Sequence, residues 1–415
     1  MGNLACSTDY LVVGGGVIGL NIARELKRRN SSASVLLIEK EISCGSHASS
    51  RNSGVLHAGF YYSADSLKAK FTAEGNRALT KYCLDKKLFI HRCGKLVVAQ
   101  NESELESLAE LKRRGDRNGV ELSEITEADA KKIEPRVKTY QKALFSPATS
   151  TVDPAQVLSA MREDALKEGV KIEEGVRYVG KKKNCVITTK GAYYAGYIVN
   201  CAGLYADKIA LDFGFSKNYR IVPFKGIYLY SDEAAHTYKT HIYPVPNLKN
   251  PFLGVHLTVT VEGKAKIGPT AIPAFWREQY KGFDNFKLME MTEIMFREAG
   301  LLFFSGFDFK KLAIEEMQKY SKKVMVSMAG KIIEGVKPEN YQVWGRPGIR
   351  AQLMDIRSKK LEMDFVIEGD AGSCHVLNAV SPGFTCSIPF SKYVCDKINE
   401  MQNNTLKSEK QKAAL

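Results

Sequence analysis

An α/β (α+β) chain in which a dinucleotide-binding domain is interleaved with a second, mixed-sheet domain is predicted by three observations. The first is a strand, a glycine turn, a helix, a second strand and an acidic terminus within the first forty residues. The second is a pair of later glycine turns, each following an apolar strand. The third is the alternation of strand-like and helical runs along the rest of the chain. In the first unit, Tyr10-Leu11-Val12-Val13 runs into Gly14-Gly15-Gly16-Val17-Ile18-Gly19, and Glu39 follows Gly19 by twenty residues. Gly14 allows the tight turn, Gly16 lets the backbone approach a pyrophosphate, and Gly19 lets the helix pack close to the sheet. The helix N-terminus then faces the phosphates. Val35-Leu36-Leu37-Ile38 is apolar throughout, as a buried parallel strand requires. Glu39 ends that strand, where a carboxylate can accept both ribose hydroxyls. An ordinary glycine-rich turn would not bring this whole Rossmann-type context with it.

Further elements follow in order. Helices are predicted for Ser66 to Leu84, for Glu102 to Asn118, and for Pro154 to Glu168, where Asp153 is a good cap ahead of a first-turn proline. Gly196-Tyr197-Ile198-Val199-Asn200-Cys201-Ala202-Gly203 reads as a buried strand, and its closing Gly203 suits passage close to a bound dinucleotide. A helical region from Asn285 to Glu334 is interrupted near the run Leu301-Leu302-Phe303-Phe304-Ser305-Gly306-Phe307. That run reads as core, with a short membrane-touching segment as the alternative. The turn Ser381-Pro382-Gly383-Phe384-Thr385 precedes a last helix, Ser391 to Met401, and the polar stretch from Gln402 is expected to fray.

Composition narrows the class. The chain is long enough for two or three domains. Its nine scattered cysteines form no CxxC pair, so neither a disulfide scaffold nor a zinc site is indicated, no metal is expected, and a reducing compartment is favoured. No apolar run approaches the roughly 18 residues that span a bilayer. The dinucleotide strand begins close to Met1, which is expected of a chain without a leader, and Met1-Gly2-Asn3-Leu4-Ala5-Cys6 puts Cys6 where a myristoylation signal wants Ser or Thr. The net charge of +14 admits three partners, an anionic membrane surface, nucleic acid or acidic small molecules, beside the plainer reading of a solvated basic surface. The densest lysine clusters, Lys181-Lys182-Lys183 and Lys407 to Lys412, carry no interleaved aromatics, so nucleic acid is not expected. With one GxGxxG only, electron transfer from NAD(P)H is not expected either.

Between Ser49 and Tyr62 the sequence reads Ser49-Ser50-Arg51-Asn52-Ser53-Gly54-Val55-Leu56-His57-Ala58-Gly59-Phe60-Tyr61-Tyr62. With the N-terminal fingerprint, the Cys201-Ala202-Gly203 turn and the C-terminal glycine turn, this stretch resembles the FAD-dependent oxidoreductases of the D-amino-acid oxidase and glycerol-3-phosphate dehydrogenase superfamily. The form Asn-Ser-Gly-Val-x-His-Ala-Gly-x-Tyr-Tyr, followed by Ser66-Leu67-Lys68-Ala69, resembles the L-2-hydroxyglutarate dehydrogenases and oxidases in particular. Gly94-Lys95-Leu96, Pro223-Phe224-Lys225-Gly226, Tyr243-Pro244-Val245-Pro246, Gly254-Val255-His256, Gly268-Pro269 and Gly348-Ile349-Arg350-Ala351-Gln352 extend the resemblance to about Met401. It implies FAD as cofactor, with residues 1–80, 145–222 and 345–401 forming the FAD-binding domain, 81–144 and 223–344 the substrate domain, and 402–415 a flexible tail. It also implies oxidation of an α-hydroxy dicarboxylate to 2-oxoglutarate, with electrons passed to a quinone or to oxygen.

The resemblance carries cofactor contacts to Lys40, Ser50, Ser53 and Gly54, to Val176 beside the adenine, and to Gly383, Phe384 and Thr385 beside the flavin ring, where backbone N–H groups stabilise the reduced anion. Alcohol oxidation by a flavin needs a base for the hydroxyl proton while the α-hydrogen leaves as hydride. His57, flanked by small residues, is the candidate base; a histidine that only hydrogen-bonds the flavin or substrate is the alternative. A dicarboxylate needs cations, and the planar fork of arginine suits a carboxylate best, so Arg277 and Arg350 are candidates with Lys225 behind them. Tyr61 and Tyr62 could donate to the substrate or pack on the flavin, and the sequence does not choose. His47 gives no basis for covalent flavin attachment. Another α-hydroxy acid, glycerol 3-phosphate or an amino acid is the alternative substrate, and an RNA-modifying flavoprotein is a remote second class. A cytoplasmic site, peripheral to the inner face of the cell membrane, and a mitochondrial one are both open readings.

Overall fold

Alternate residues of the first strand feed two different cores, and this explains why it is apolar at consecutive positions. Val12 packs with Leu37, Val199, Leu20, Ile22, Phe390 and Val394 on one side of the sheet. Leu11 and Val13 pack with Leu36, Ile38, Ile198 and Ile209 on the other. A computed structural model describes residues 6–183, 185–246, 253–304 and 309–413. In chain order its principal elements are β1 (Cys6–Val13), α1 (Val17–Arg29), β2 (Val35–Glu39), α2 (Leu67–Asp85), β3 (Lys95–Val98), α3 (Pro154–Lys167), β4 (Lys171–Glu174), β5 (Gly191–Asn200), β6 (Tyr219–Gly226), α4 (Leu288–Phe304), α5 (Phe309–Gln318), α6 (Lys322–Ala329), β7 (Gly348–Asp355), β8 (Ser373–Asn378) and α7 (Gly383–Ala413).

The central sheet runs β8-β5-β1-β2-β4 with every one of these pairings parallel, and the antiparallel strand Val366–Gly369 borders β8. Strands distant in sequence therefore share one sheet. A second, mixed sheet pairs β3 in parallel with His241–Pro244 and antiparallel with Lys142–Ser146, and continues through His256–Val259 and Ala265–Gly268. Between them lies an antiparallel ladder of β6 and β7, in register from Tyr219 opposite Asp355 to Gly226 opposite Gly348. The N–H of Leu353 on β7 donates to Asn378 Oδ1 on β8 at 3.3 Å, tying this ladder to the parallel sheet.

Side-chain caps set two of the expected helix starts. Ser66 caps α2, its Oγ accepting from the N–H of Ala69 at 3.1 Å, and Asp153 caps α3 through the N–H of Ala155 at 2.8 Å. Two expectations need correction. The last helix begins at Gly383, ahead of the expected Ser391, and runs to Ala413, past the expected end at Met401. In the run from Leu301, Leu301 is fully buried as core, whereas Leu302 and Phe303 are exposed; residues 305–307 lie outside the described residues, as do residues 1–5 of the acylation-like start. Among the described residues, no helix is long and apolar enough to cross a membrane.

Candidate active site

A cavity of about 1480 Å³ opens at the carboxyl ends of β1, β2 and β5 and reaches across to β7 and the start of α7. That is where ligands of open parallel sheets bind. One end is lined by Gly14, Gly16, Glu39, Lys40, Val176 and Gly203, the other by His57, Tyr61, Tyr62, Arg350, Gly383, Phe384 and Thr385. With Ser53 between the two ends, the fold thus brings together fourteen of the expected residues, separated by up to 371 positions, around one elongated space.

The dinucleotide end is shaped by backbone. Gly14 has φ +110°, and a Cβ there would lie 2.5 Å from the carbonyl oxygen of Cys201. A Cβ on Gly19 would fall 2.0 Å from the carbonyl oxygen of Gly14, so α1 can sit against the turn only because both positions are glycine. Gly19 therefore acts through packing and does not line the cavity. Gly16 caps α1 with no side chain, leaving the first helical turn open to the cavity; the N–H of Val17 donates to Ser49 Oγ at 3.0 Å. Glu39 is held by the N–H groups of Gly15 at 2.7 Å and Glu41 at 2.9 Å. A cradle of this kind, with a helix N-terminus at its centre and an acid at the end of the second strand, fits the pyrophosphate and ribose of FAD.

Lys40 lines the cavity with its Nζ between Glu41 and Glu278, the latter at 2.7 Å. Glu41, His47 and Glu278 bring their ligand atoms within 4.8 Å of one another. The ammonium of Lys40 already supplies the cation there, and His47 bonds Tyr280 Oη at 2.6 Å and Glu41 at 2.9 Å. Lys40, Glu41, His47, Glu278 and Tyr280 thus form one connected network of ion pairs and hydrogen bonds.

At the other end, the backbone of His57 is fixed by its N–H to Thr385 Oγ1 at 3.2 Å and by Asn76 Nδ2, which donates to the carbonyls of Leu56 at 3.0 Å and His57 at 3.3 Å. Among the described residues, neither ring nitrogen of His57 is hydrogen-bonded. Desolvation, with Lys95 adding repulsion, pulls its pKa down to about 3. The imidazole is consequently neutral at physiological pH, with neither ring nitrogen committed to a described partner. Arg350 reaches the same space from β7, one Nη1 donating to the carbonyl of Thr270 at 2.9 Å. Lys68 lines it from α2, with its pKa pulled down to about 8 by burial despite Asp364 nearby. Tyr61 stacks on Phe60 at 4.5 Å, and its hydroxyl is enclosed without a hydrogen-bond partner among the described residues.

Besides Gly19, four expected residues fall elsewhere. Arg277 is wholly buried, with its fork spent on Asp207 at 2.7 and 2.9 Å and on the carbonyl of Leu204, so it is no free clamp for a substrate carboxylate. Lys225 is buried in β6 and does not line the cavity. Ser50 is displaced by its neighbour Ser49, which faces the cavity. Gly54, with φ +78°, packs where a Cβ would lie 2.3 Å from the carbonyl of Val152, and shapes the chain without lining the site. Sequence reasoning gave no role to Lys68, Tyr228, Tyr243 or His256, which line the substrate end. Tyr243 and His256 stack at 3.7 Å. Both stood in motifs that carried the resemblance, and that was their only signal.

Residues 9–397 match the family of FAD dependent oxidoreductases (DAO), and the chain belongs to that family, with FAD as its cofactor. It is 35% identical over 425 residues to the mitochondrial L-2-hydroxyglutarate dehydrogenase of Bos taurus, covering 95% of this chain and 89% of the relative. It is 34% identical over 402 residues to the L-2-hydroxyglutarate dehydrogenase of Indibacter alkaliphilus, covering 94% and 98%. These identities place it in the L-2-hydroxyglutarate dehydrogenase branch. The fold is that of the L-α-glycerophosphate oxidase of Mycoplasma pneumoniae solved with FAD bound, with a TM-score of 0.74 at 21% identity and 95% of each chain covered.

Proposed function

We propose that the protein oxidises L-2-hydroxyglutarate to 2-oxoglutarate with FAD. The observation that carries this reading is the meeting of a neutral, unpaired His57 with Arg350 and Lys68 at the far end of a dinucleotide cavity, in a chain this similar to L-2-hydroxyglutarate dehydrogenases. When bound, FAD supplies an acceptor for the hydride that leaves the α-carbon. Arg350 and Lys68 offset the two carboxylates of the substrate, whose burial would otherwise be costly. A ring nitrogen of His57 takes the hydroxyl proton as the C–H bonding pair departs, so one proton and one hydride leave and a ketone remains. Tyr61, Tyr62 and Tyr243 wall the space and exclude water. Gly14, Gly16, Glu39, Lys40, Ser53, Val176, Gly203, Gly383, Phe384 and Thr385 are the residues we assign to the cofactor. We divide the chain between FAD-binding segments 1–80, 145–222 and 345–401 and substrate segments 81–144 and 223–344, a partition supported by the two sheets. Anaerobic addition of L-2-hydroxyglutarate should bleach the oxidised flavin absorbance, while the D-enantiomer, glycerol 3-phosphate and amino acids leave it unchanged. Bleaching by a control instead would move the function to that substrate.

The acceptor we propose is a quinone reached from an anionic membrane surface. On α4, Met289, Phe296 and Phe303 are 83%, 81% and 78% exposed, and their seven-residue spacing sets them on one helix face. Leu288, Met295 and Leu302 form a parallel exposed row beside them, and the chain carries a net charge of +14. An apolar stripe on a basic protein suits a helix lying in a lipid interface. We place the protein on the inner face of the cell membrane, in a reducing compartment, and the eight cysteines whose side chains are described are all free. It should sediment with vesicles containing anionic lipid, and Phe296→Glu with Phe303→Glu should release it several-fold without altering flavin reduction. Equal recovery of both forms in the supernatant, with brisk oxygen consumption, would exclude the membrane and make oxygen the acceptor.

A further inference from the structure

Lys95 on β3 is fully buried, and its ammonium has no hydrogen-bond partner among the described residues. Nor do the described ion pairs include it. A charge so enclosed is normally paired with a carboxylate or neutralised. Here three aromatic ring faces surround it instead, with Nζ at 4.6 Å from the centroids of Phe60 and Tyr61 and 4.8 Å from that of Tyr243. The negative faces of aromatic rings attract a cation, so this cage holds an ammonium without hydrogen bonds.

The cage is also a wall of the substrate end. Tyr61 and Tyr243 both line the cavity, while Lys95 itself does not reach it. The titratable groups facing Lys95 are His57 and Tyr61 from the segment after the strand Val55–Leu56, His241 and Tyr243 from their strand, and His256 from the next. Arg114, on the helix Leu105–Arg117, holds the carbonyl of Tyr61 at 3.0 Å and is paired with Glu110. Among the described residues, no acid stands with the groups that face the lysine.

We propose that Lys95 is a positioning residue: its caged ammonium holds Tyr61 and Tyr243 in place and lends the pocket a buried positive charge that attracts an anionic substrate without touching it. This rests on the dicarboxylate reading of the site. Burial pulls the pKa of Lys95 down to about 7, so the ammonium is present below that pH and lost as pH rises through it. A bound dianion stabilises the charged form and shifts that loss upward. The same charge repels a proton from His57 and helps keep it neutral.

Calorimetry of 2-oxoglutarate binding to the holoenzyme from pH 6 to 9, for the wild type, Lys95→Met and Lys95→Arg, tests the proposal. Wild-type affinity should fall as pH rises. Lys95→Met should bind about tenfold more weakly at pH 6, as expected for loss of one buried charge, with the gap narrowing toward pH 9. Lys95→Arg keeps the charge without titrating, so it should flatten the pH dependence, and it serves if Lys95→Met fails to fold. A histidine titration by NMR, independent of substrate, should show the pKa of His57 rising in Lys95→Met. Variants that melt like the wild type, bind 2-oxoglutarate equally at every pH and leave His57 unmoved would overturn the proposal. A wild type that ignores 2-oxoglutarate would overturn the substrate reading instead, and the His57 titration would then decide the part played by Lys95.

Discussion

Replacing His57 with alanine is expected to slow reduction of the flavin by substrate by about 10²- to 10⁴-fold, the usual contribution of a positioned general base. Bound FAD and affinity for 2-oxoglutarate should change little, because the dinucleotide cradle is built by Gly14, Gly16 and Glu39 at the opposite end and the carboxylates are met by Arg350 and Lys68. Single-turnover reduction with spectral quantitation of FAD separates the two effects. A variant that reduces its flavin at the wild-type rate would demote His57 to a ligand-binding residue. The pH dependence has a definite sign. With its pKa lowered to about 3, His57 stays unprotonated well below the ordinary histidine value, so the rate should persist through pH 5 with no acid limb near 6.5. The same depression works against folding in acid. His241 and His256 are likewise lowered by burial, and His375 is lowered to about 4. Below the pKa of an unfolded histidine, the unfolded chain binds protons that the folded one excludes, so stability should decline as pH falls from about 6.5 toward 4.

The parts of the site visible in the sequence are those whose geometry is set locally. Gly14 through Glu39 is one continuous strand-turn-helix-strand unit, and Gly14 and Gly19 have backbone contacts that only a missing side chain permits. His57 stood out because small residues surround it in a short segment. The substrate end is different. Tyr243, His256 and Arg350 come from strands of two sheets, and Tyr228 from the short link after β6, and only tertiary pairing brings them beside His57. Nothing in the spacing of Tyr243 and His256 announces that their rings stack. Ser49 and Ser50 differ only in which of two adjacent side chains turns inward, and periodicity does not resolve that in an irregular loop. The last helix was expected over Ser391 to Met401, yet it begins at Gly383, ahead of Pro389, with Phe390, Val394 and Ile398 burying one face against α1 and α2. Packing outweighed local propensity there.

Arg277 is the clearest case of a residue whose chemistry was legible and whose partner was not. A guanidinium fork was expected to grip a carboxylate, and it does, but the carboxylate is Asp207, seventy positions away and also wholly buried. Asp207 is held further by the N–H of Ile221 at 3.0 Å, and Arg297 approaches to 4.0 Å. Arg277 nearby holds the Asp207 carboxyl below the usual range against the opposing cost of burial. The stability this contributes is present above the ordinary carboxylate pKa and lost as pH falls through the depressed one. Asp207→Ala leaves Arg277 uncompensated in the interior and should cost about 3–5 kcal/mol, read as a lowered urea midpoint. Arg277→Met with Asp207→Leu removes both charges together and should restore much of the loss, since a buried ion pair is often worth no more than apolar packing of similar volume. Kinetics then separate structure from binding. At a temperature where the double variant is folded, KM should stay near the wild-type value, whereas Arg350→Met should raise it by about tenfold or more, as loss of a charged hydrogen bond to a carboxylate implies. A double variant with the raised KM and wild-type stability would return Arg277 to the substrate site and count against the ion pair as its main task.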